Sequence, residues 1–158
     1  MSAELPISLQ SLSELYLESI IRLHKDPVTQ QFSWLDGLYE PAANAHWMAA
    51  EINKGVLGIK ALVLKEDGRF VGLAGLRLRE DLGNTTDLVY RILPEHRNQG
   101  CATAAAQLLI NLAKTELKLK VIYGQVHSDN AASLRVLAKT GFQYQSIDGV
   151  WQIHQLHL

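Results

Sequence analysis

The chain of 158 residues predicts an α/β fold: one central mixed sheet, mostly antiparallel, with one parallel strand pair and about four helices. Three observations lead there. Asp67-Gly68 and Asp148-Gly149 each separate runs of strand-like residues, the pattern of a tight hairpin. The stretches 85–93 and 120–127 also read as strands, and a helix-length run rich in Ala and Leu joins them, so they should lie parallel. Between these segments apolar residues recur at helical spacing, without linkers, repeats or low-complexity tracts. One domain over residues 1–158 follows, since a chain of this length buries a full core.

Taken in order, "LPISL" (5–9) is a short strand. "SLSELYLESIIRLHK" (11–25) opens with Ser11 and Glu14 as a capping box and sets Leu12, Leu15, Tyr16, Ser19 and Leu23 roughly along one helical face. Asp26-Pro27 ends it. "FSWLDGLYEPAANAHWMAAEINKG" is a loop and then a second helix from about Pro41, with Gly55 as its stop. "IKALVLKE" and "RFVGLAGLRLRE" form the first hairpin, "TTDLVYRIL" (85–93) the next strand, and Pro94 closes it. The helix of 96–113 is followed by "KVIYGQVHS", by the helical "NAASLRVLAKTGF" ending near Gly141, and by a last hairpin of "QYQSI" and "VWQIHQLHL". The expected order is β-α-α-β-β-β-α-β-α-β-β.

Composition removes several classes of function. A net charge of −1 gives no basic footprint for nucleic acid. One cysteine, Cys101, excludes an internal disulfide and a multi-cysteine zinc site. "MSAELPISLQ" has neither a basic n-region nor an apolar h-region, and no apolar run approaches membrane-spanning length, so a cytoplasmic protein without membrane contact is expected. The "NTT" at Asn84 is a formal glycosylation acceptor that reads as a turn.

"HRNQGCATAAAQLLINLA" (96–113) poses the chemical question. Leu108, Leu109 and Leu112 are spaced for one buried helical face, yet no Ser-x-x-Glu box opens the helix. The first N–H groups of a helix lack internal partners and sit at the positive end of its dipole, where an anion, typically phosphate, can cap them. Gly100 permits close approach, Arg97 adds charge, and Cys101, Ala102 and Thr103 keep the first turn small. The competing assignment makes Asn98 the N-cap and Gly100 a packing device. Neither a P-loop nor a dinucleotide glycine pattern is present.

A strand, Pro94, and then Arg97-x-x-Gly100-x-Ala102 opening a helix resembles the acyl-CoA signature of the GNAT acetyltransferases. "NAASLRVLAKTGF" (130–142) is similar to their Asn-x-x-Ser-x-x-x-x-x-Lys-x-Gly-Phe segment. The resemblance covers 58–145 well and the N-terminal third loosely. There, "DPVTQQFSWL" resembles the branch containing the ribosomal-protein N-terminal acetyltransferases (RimJ and RimL).

The resemblance implies a GNAT-like fold with acetyl-CoA as cosubstrate and no metal. It implies that backbone amides of Asn98, Gln99, Gly100, Cys101, Ala102 and Thr103, beside Arg97, hold the pyrophosphate. The pantetheine arm then pairs with the strand at Tyr90, Arg91, Ile92 and Leu93, where the two parallel strands splay apart. Asn130 matches the asparagine that bonds the pantetheine arm; it also suits an N-cap of the following helix. The oxyanion donor is a backbone N–H at Arg91 or Ile92.

Acyl transfer to an amine also needs a proton acceptor and a donor for the leaving thiolate. Asp87 stands where several GNAT members carry a glutamate, so it is the first candidate base, acting through water. Its alternative is an ion pair with Arg77 or Arg79 across the hairpin. His127 is the second candidate, against a solvent-facing strand-end role. The tyrosine that many GNAT members use as acid falls at Leu137, so Ser133 takes that role, against a serine bonded back to a helix carbonyl.

His154 and His157 fall on opposite faces of a strand, and His24 and His46 lie apart from any ligand pattern, so no metal site is expected. Trp34, Tyr39, His46 and Trp47 stand where the resemblance places an acceptor pocket, or equally in the core. The expected activity is N-acetyl transfer from acetyl-CoA to a primary amine, either a protein N-terminus or a small molecule, by a monomer or homodimer. The alternative is a catalytically weak acyl-CoA-binding or sensor domain.

Overall fold

The computed structural model describes residues 6–33 and 38–158, and among these lie seven strands and five α-helices. The strands are β1 (Ile7–Gln10), β2 (Lys60–Leu64), β3 (Phe70–Arg79), β4 (Thr85–Ile92), β5 (Val121–His127), β6 (Gln143–Asp148) and β7 (Trp151–His157). The helices are α1 (Leu17–Lys25), α2 (Pro27–Gln31), α3 (Pro41–Asn53), α4 (Cys101–Thr115) and α5 (Ala131–Lys139). They form one sheet in the order β1-β2-β3-β4-β5-β7-β6. Every neighbouring pair is antiparallel except β4 and β5. The expected mixed sheet with antiparallel ends and one parallel pair is therefore present.

The helices divide between the two faces of this sheet. On one face, Cys101, Ala104, Ala105, Leu109 and Ala113 of α4 pack on Leu62, Val71, Ala74, Leu76, Leu88 and Ile92. The alanine stripe lets the helix lie close to the strands, and the fully buried Leu109 alone contributes on the order of 1.5–3 kcal/mol. On the other face, Ile20 and Leu23 of α1 and Met48 of α3 cover Ala61, Val63, Phe70, Leu73 and Leu93. Strand alternation feeds both cores: Leu88 and Ile92 join one, Val89 the other.

Two details of the N-terminal region differ from expectation. The capping residue is Ser13, whose hydroxyl accepts from the Leu15 N–H at 3.2 Å, rather than Ser11. A 3-10 turn at Glu14–Tyr16 precedes α1, and its three-residue period turns the face expected of a continuous helix, leaving Leu15 89% exposed while Leu12 and Leu23 are buried. A fifth helix, α2, follows at once, because Asp26 ends α1 and caps the next turn through the Thr29 N–H, with Pro27 in its first position. Asn84 lies in a left-handed turn after Gly83. No helix among the described residues is long and apolar enough to cross a membrane.

Candidate active site

β4 and β5 meet in a single ladder pair, Asp87↔Tyr123, and then separate. The α4 and α5 N-termini lie beyond that point, and together they border a cavity of about 570 Å³. Of the residues expected to form a site, Tyr90, Arg91, Ile92, Arg97, Asn98, Gly100, Cys101, Ala102, Thr103, Asn130 and Ser133 line it.

The α4 N-terminus has the uncapped form that its sequence implied. Gly100 occupies the N-cap position at φ +81°, no side chain bonds the first N–H groups, and the first turn holds no acidic residue. Asn98 is not the cap; it adopts φ +60°, a left-handed conformation that asparagine tolerates. A Cβ built on Gly100 would meet nothing within 4 Å, so the glycine serves its backbone angle and leaves open space. Helix dipole and bare amides therefore face a cavity bordered by His96, Arg135 and Lys139, a chemistry suited to the phosphates of a CoA ester.

Two of the expected signature contacts are arranged otherwise. Arg97 is committed within the protein: its Nε donates to the Ile92 carbonyl at 3.0 Å and its Nη2 to Asp26 Oδ2 at 2.6 Å, tying α2 to the cavity rim. Gln99 does not line the cavity, and its side chain returns to the Glu95 carbonyl. Leu93 is also outside the lining, buried in the α1/α3 core with its N–H donating to Val71 O.

On the α4/α5 side, Asn130 caps α5 by accepting the Ser133 N–H at 3.2 Å while it lines the cavity. The Ser133 hydroxyl is 2.7 Å from the Tyr90 hydroxyl. Its expected alternative, a bond back to a helix carbonyl, is not what its hydroxyl makes. Burial pushes the Tyr90 phenol up to about 12, so it stays protonated and can donate to Ser133. Leu137, at the position of the missing tyrosine, is buried against β5. A Cβ on Gly124 would come within 2.9 Å of it, so the bare glycine makes its room.

The α1/α3 side is charged. Asp87 is buried and does not line the cavity. Its carboxylate accepts from Arg77 Nε at 3.0 Å, Arg77 Nη2 at 2.7 Å and Arg79 Nη1 at 3.2 Å. Arg79 also reaches Gln125 on β5, tying the two parallel strands where they still touch. The ion-pair alternative for Asp87 is thus realised, with both arginines at once. His127 is not an isolated solvent-facing residue: its ring lies 5.3 Å from those of Phe32 and Trp151. Its Nδ1 accepts the Asp129 N–H at 3.0 Å, so the neutral ring carries its proton on Nε2 and has no free lone pair.

Burial pushes His24 down to about 4; its Nδ1 is 3.2 Å from Asn44 Oδ1, and Trp47 packs edge-on against it. Trp47 therefore belongs to the core, His46 is exposed, and Trp34 lies outside the described residues. Cys101 is buried at the cavity edge, its thiol pushed up by burial, which does not suit a nucleophile. No group of His, Cys, Asp or Glu among the described residues is placed to hold a metal. Sequence reasoning missed Phe32, Ser33 and Gln125 as cavity residues. It named Arg77 only as a partner, although the alternation in "LRLR" (76–79) places Arg77 and Arg79 on one face.

These features have counterparts among known proteins. The chain is 33% identical over 98 residues to the probable N-acetyltransferase YjcK of Bacillus subtilis, covering 57% of this chain and 54% of that one. The chain thus spans about half the length of the curated relatives it matches. A ribosomal-protein-alanine N-acetyltransferase from Brucella melitensis superposes with a TM-score of 0.74 at 21% identity, covering 96% of this chain and 99% of that one. The Vibrio cholerae spermidine N-acetyltransferase, solved with CoA and spermine, gives a TM-score of 0.77 at 18% identity, covering 97% and 95%. The family defined as the acetyltransferase (GNAT) domain matches residues 7–143, and with its fold and signature in place the chain belongs to that family.

Proposed function

We propose that the protein transfers the acetyl group of acetyl-CoA to a primary amine by direct attack. The observation that carries this is the convergence on one cavity of the uncapped α4 N-terminus and the Tyr90–Ser133 hydroxyl pair. Backbone amides of Asn98 and of Gly100, Cys101, Ala102 and Thr103 receive the pyrophosphate. The pantetheine arm adds to the free edge of β4 past Asp87, with Asn130 beside it. A β4 N–H at Arg91 or Ile92 donates to the carbonyl oxygen as it gains charge.

The amine nitrogen forms a bond to the thioester carbon, the C–S bond breaks, and sulfur leaves as the thiolate. Ser133 donates to that sulfur, and Tyr90 donates to Ser133. The amine proton passes to water. Asp87, bound by three N–H groups, acts by fixing Arg77 and Arg79 at the mouth of the strand gap. An α-amine is less basic than a lysine near ~10.4, so a larger fraction of it is neutral at pH 7 and attacks without a strong base.

Steady-state release of CoA thiol against a panel of amines and peptides tests this. Turnover on at least one amine is expected; tight acetyl-CoA binding with none on any amine would replace the transferase with an acyl-CoA sensor.

A further inference from the structure

Arg91 is the one residue of β4 at the splay that sends a charged side chain to the acceptor side. It borders the cavity with Ser33, to which its Nη2 donates at 3.1 Å. Its Nη1 is buried and has no hydrogen-bond partner among the described residues. Burial and the neighbouring Arg77 push it down to about 10, which still leaves it cationic at neutral pH. The carboxylate that acts the other way, Glu51 on α3, is ion-paired to Lys54. A guanidinium with an unanswered donor is costly to bury, and an oxyanion is its natural partner.

The lining points the same way. Among the described residues, no Asp or Glu borders the cavity, whereas Arg77 and Arg91 do. A polyamine entering here would find no counter-ion among the described residues of the lining and several like charges. An amine that also bears a carboxylate would meet Arg91 with its anion while its nitrogen approaches the thioester near the same residue's backbone. Phe32 and His127 border the cavity with rings that can hold an apolar group.

Resting on the transferase reading, we propose that Arg91 forms a carboxylate subsite and that the acceptor is a free amino acid. Polyamines and peptide N-termini, which lack the adjacent carboxylate, are then poor acceptors.

The test compares kcat/KM, by release of CoA thiol, for phenylalanine, phenylalaninamide and spermidine. Removing the carboxylate makes the amine less basic, so chemistry alone favours the amide. The proposal expects the acid to lead the amide by about 10- to 100-fold, the usual scale of a charge-assisted hydrogen bond, and spermidine to be slower still. Arg91→Gln should bring the acid-to-amide ratio down about tenfold or more, and Arg91→Lys should restore part of it. Because the ratio is taken within each variant, any loss of folded protein cancels. An amide or polyamine used as well as the acid, or a ratio unmoved in Arg91→Gln, overturns the carboxylate subsite while leaving an acetyltransferase. Thiol release from no amine at all removes the transferase reading, and this proposal with it.

Discussion

Tyr90 and Arg91 are consecutive on one strand, yet they serve opposite compartments of the cavity. Tyr90 faces α5 and bonds Ser133; Arg91 faces the α1/α2 side and bonds Ser33. On the Tyr90 side the chemistry is carried mainly by backbone, with bare amides, left-handed Asn98 and Gly100 and two hydroxyls, and Arg135 and Lys139 of α5 at the border. On the Arg91 side it is ionic and carried by side chains, with Arg77, Arg79 and Asp87 locked together. A ligand held by backbone geometry imposes fixed glycines and spacings, while one held by side chains leaves no such pattern. The two sides therefore respond differently to substitution.

The largest effect should come from Gly100→Asp on the backbone side. A carboxylate there sits where the pyrophosphate must bind, and acetyl-CoA affinity should fall about 10³-fold, near ~4 kcal/mol. Gly100 at φ +81° makes any side chain strained, so the variant also loses about 1–2 kcal/mol of stability, even though a Cβ meets no atom. Thermal melts with and without acetyl-CoA separate these losses. Full ligand stabilisation of the variant would defeat the phosphate cradle.

Asp87→Asn is the matching experiment on the ionic side. Its carboxylate is 3% exposed and neutralises Arg77 and Arg79, so the substitution should cost about 3–4 kcal/mol in denaturant unfolding. Turnover should also fall, by the same factor at pH 7 and pH 9, because the strand gap loses its tie. A loss that shrinks as pH rises, with stability intact, would instead make Asp87 the base.

The same contrast explains what was legible beforehand. The order of strands along the chain, the parallel pair, the hairpins and the uncapped start of α4 follow from period-2 and period-3.6 patterns and from turn residues such as Gly68, Gly100 and Gly149, all at positive φ. Residues 11–16 misled because Ser11 and Glu14 have capping-box spacing, whereas Ser13 starts a 3-10 turn. Phe32 and Ser33 lie in aperiodic chain just past α2, and only tertiary packing brings them to the cavity. Leu137 signalled a missing tyrosine, but not that Tyr90 of β4, 43 positions before Ser133, reaches the Ser133 hydroxyl on α5.

His24 extends the comparison to pH. Its folded value of about 4 lies below the ordinary ~6.5, so the unfolded chain binds the extra proton between those values. Stability is then full above about pH 6.5 and falls on acidification towards pH 4, by up to about 3 kcal/mol. Melting temperature across that window should decline in the parent protein and decline less in His24→Leu, which has no ring to charge. An equal slope in both would show that the buried ring does not govern acid sensitivity.

The smallest effect is expected back on the backbone side, at the hydroxyl pair. A CoA thiolate is a fair leaving group, with a pKa near a cysteine's ~8.5, so help from Ser133 is worth only about tenfold in turnover, ~1.4 kcal/mol. Ser133→Ala should lower kcat by that factor with acetyl-CoA affinity little changed, because the bond to sulfur strengthens only as charge develops. If Tyr90 acts by donating to Ser133, Tyr90→Phe should lose part of the same tenfold. The double variant should then be no slower than Ser133→Ala alone, because the donor has lost its acceptor. Independent contacts to the ester would instead multiply the two losses. A multiplicative result would split the 2.7 Å pair into two separate positioning residues and leave the departing sulfur to water.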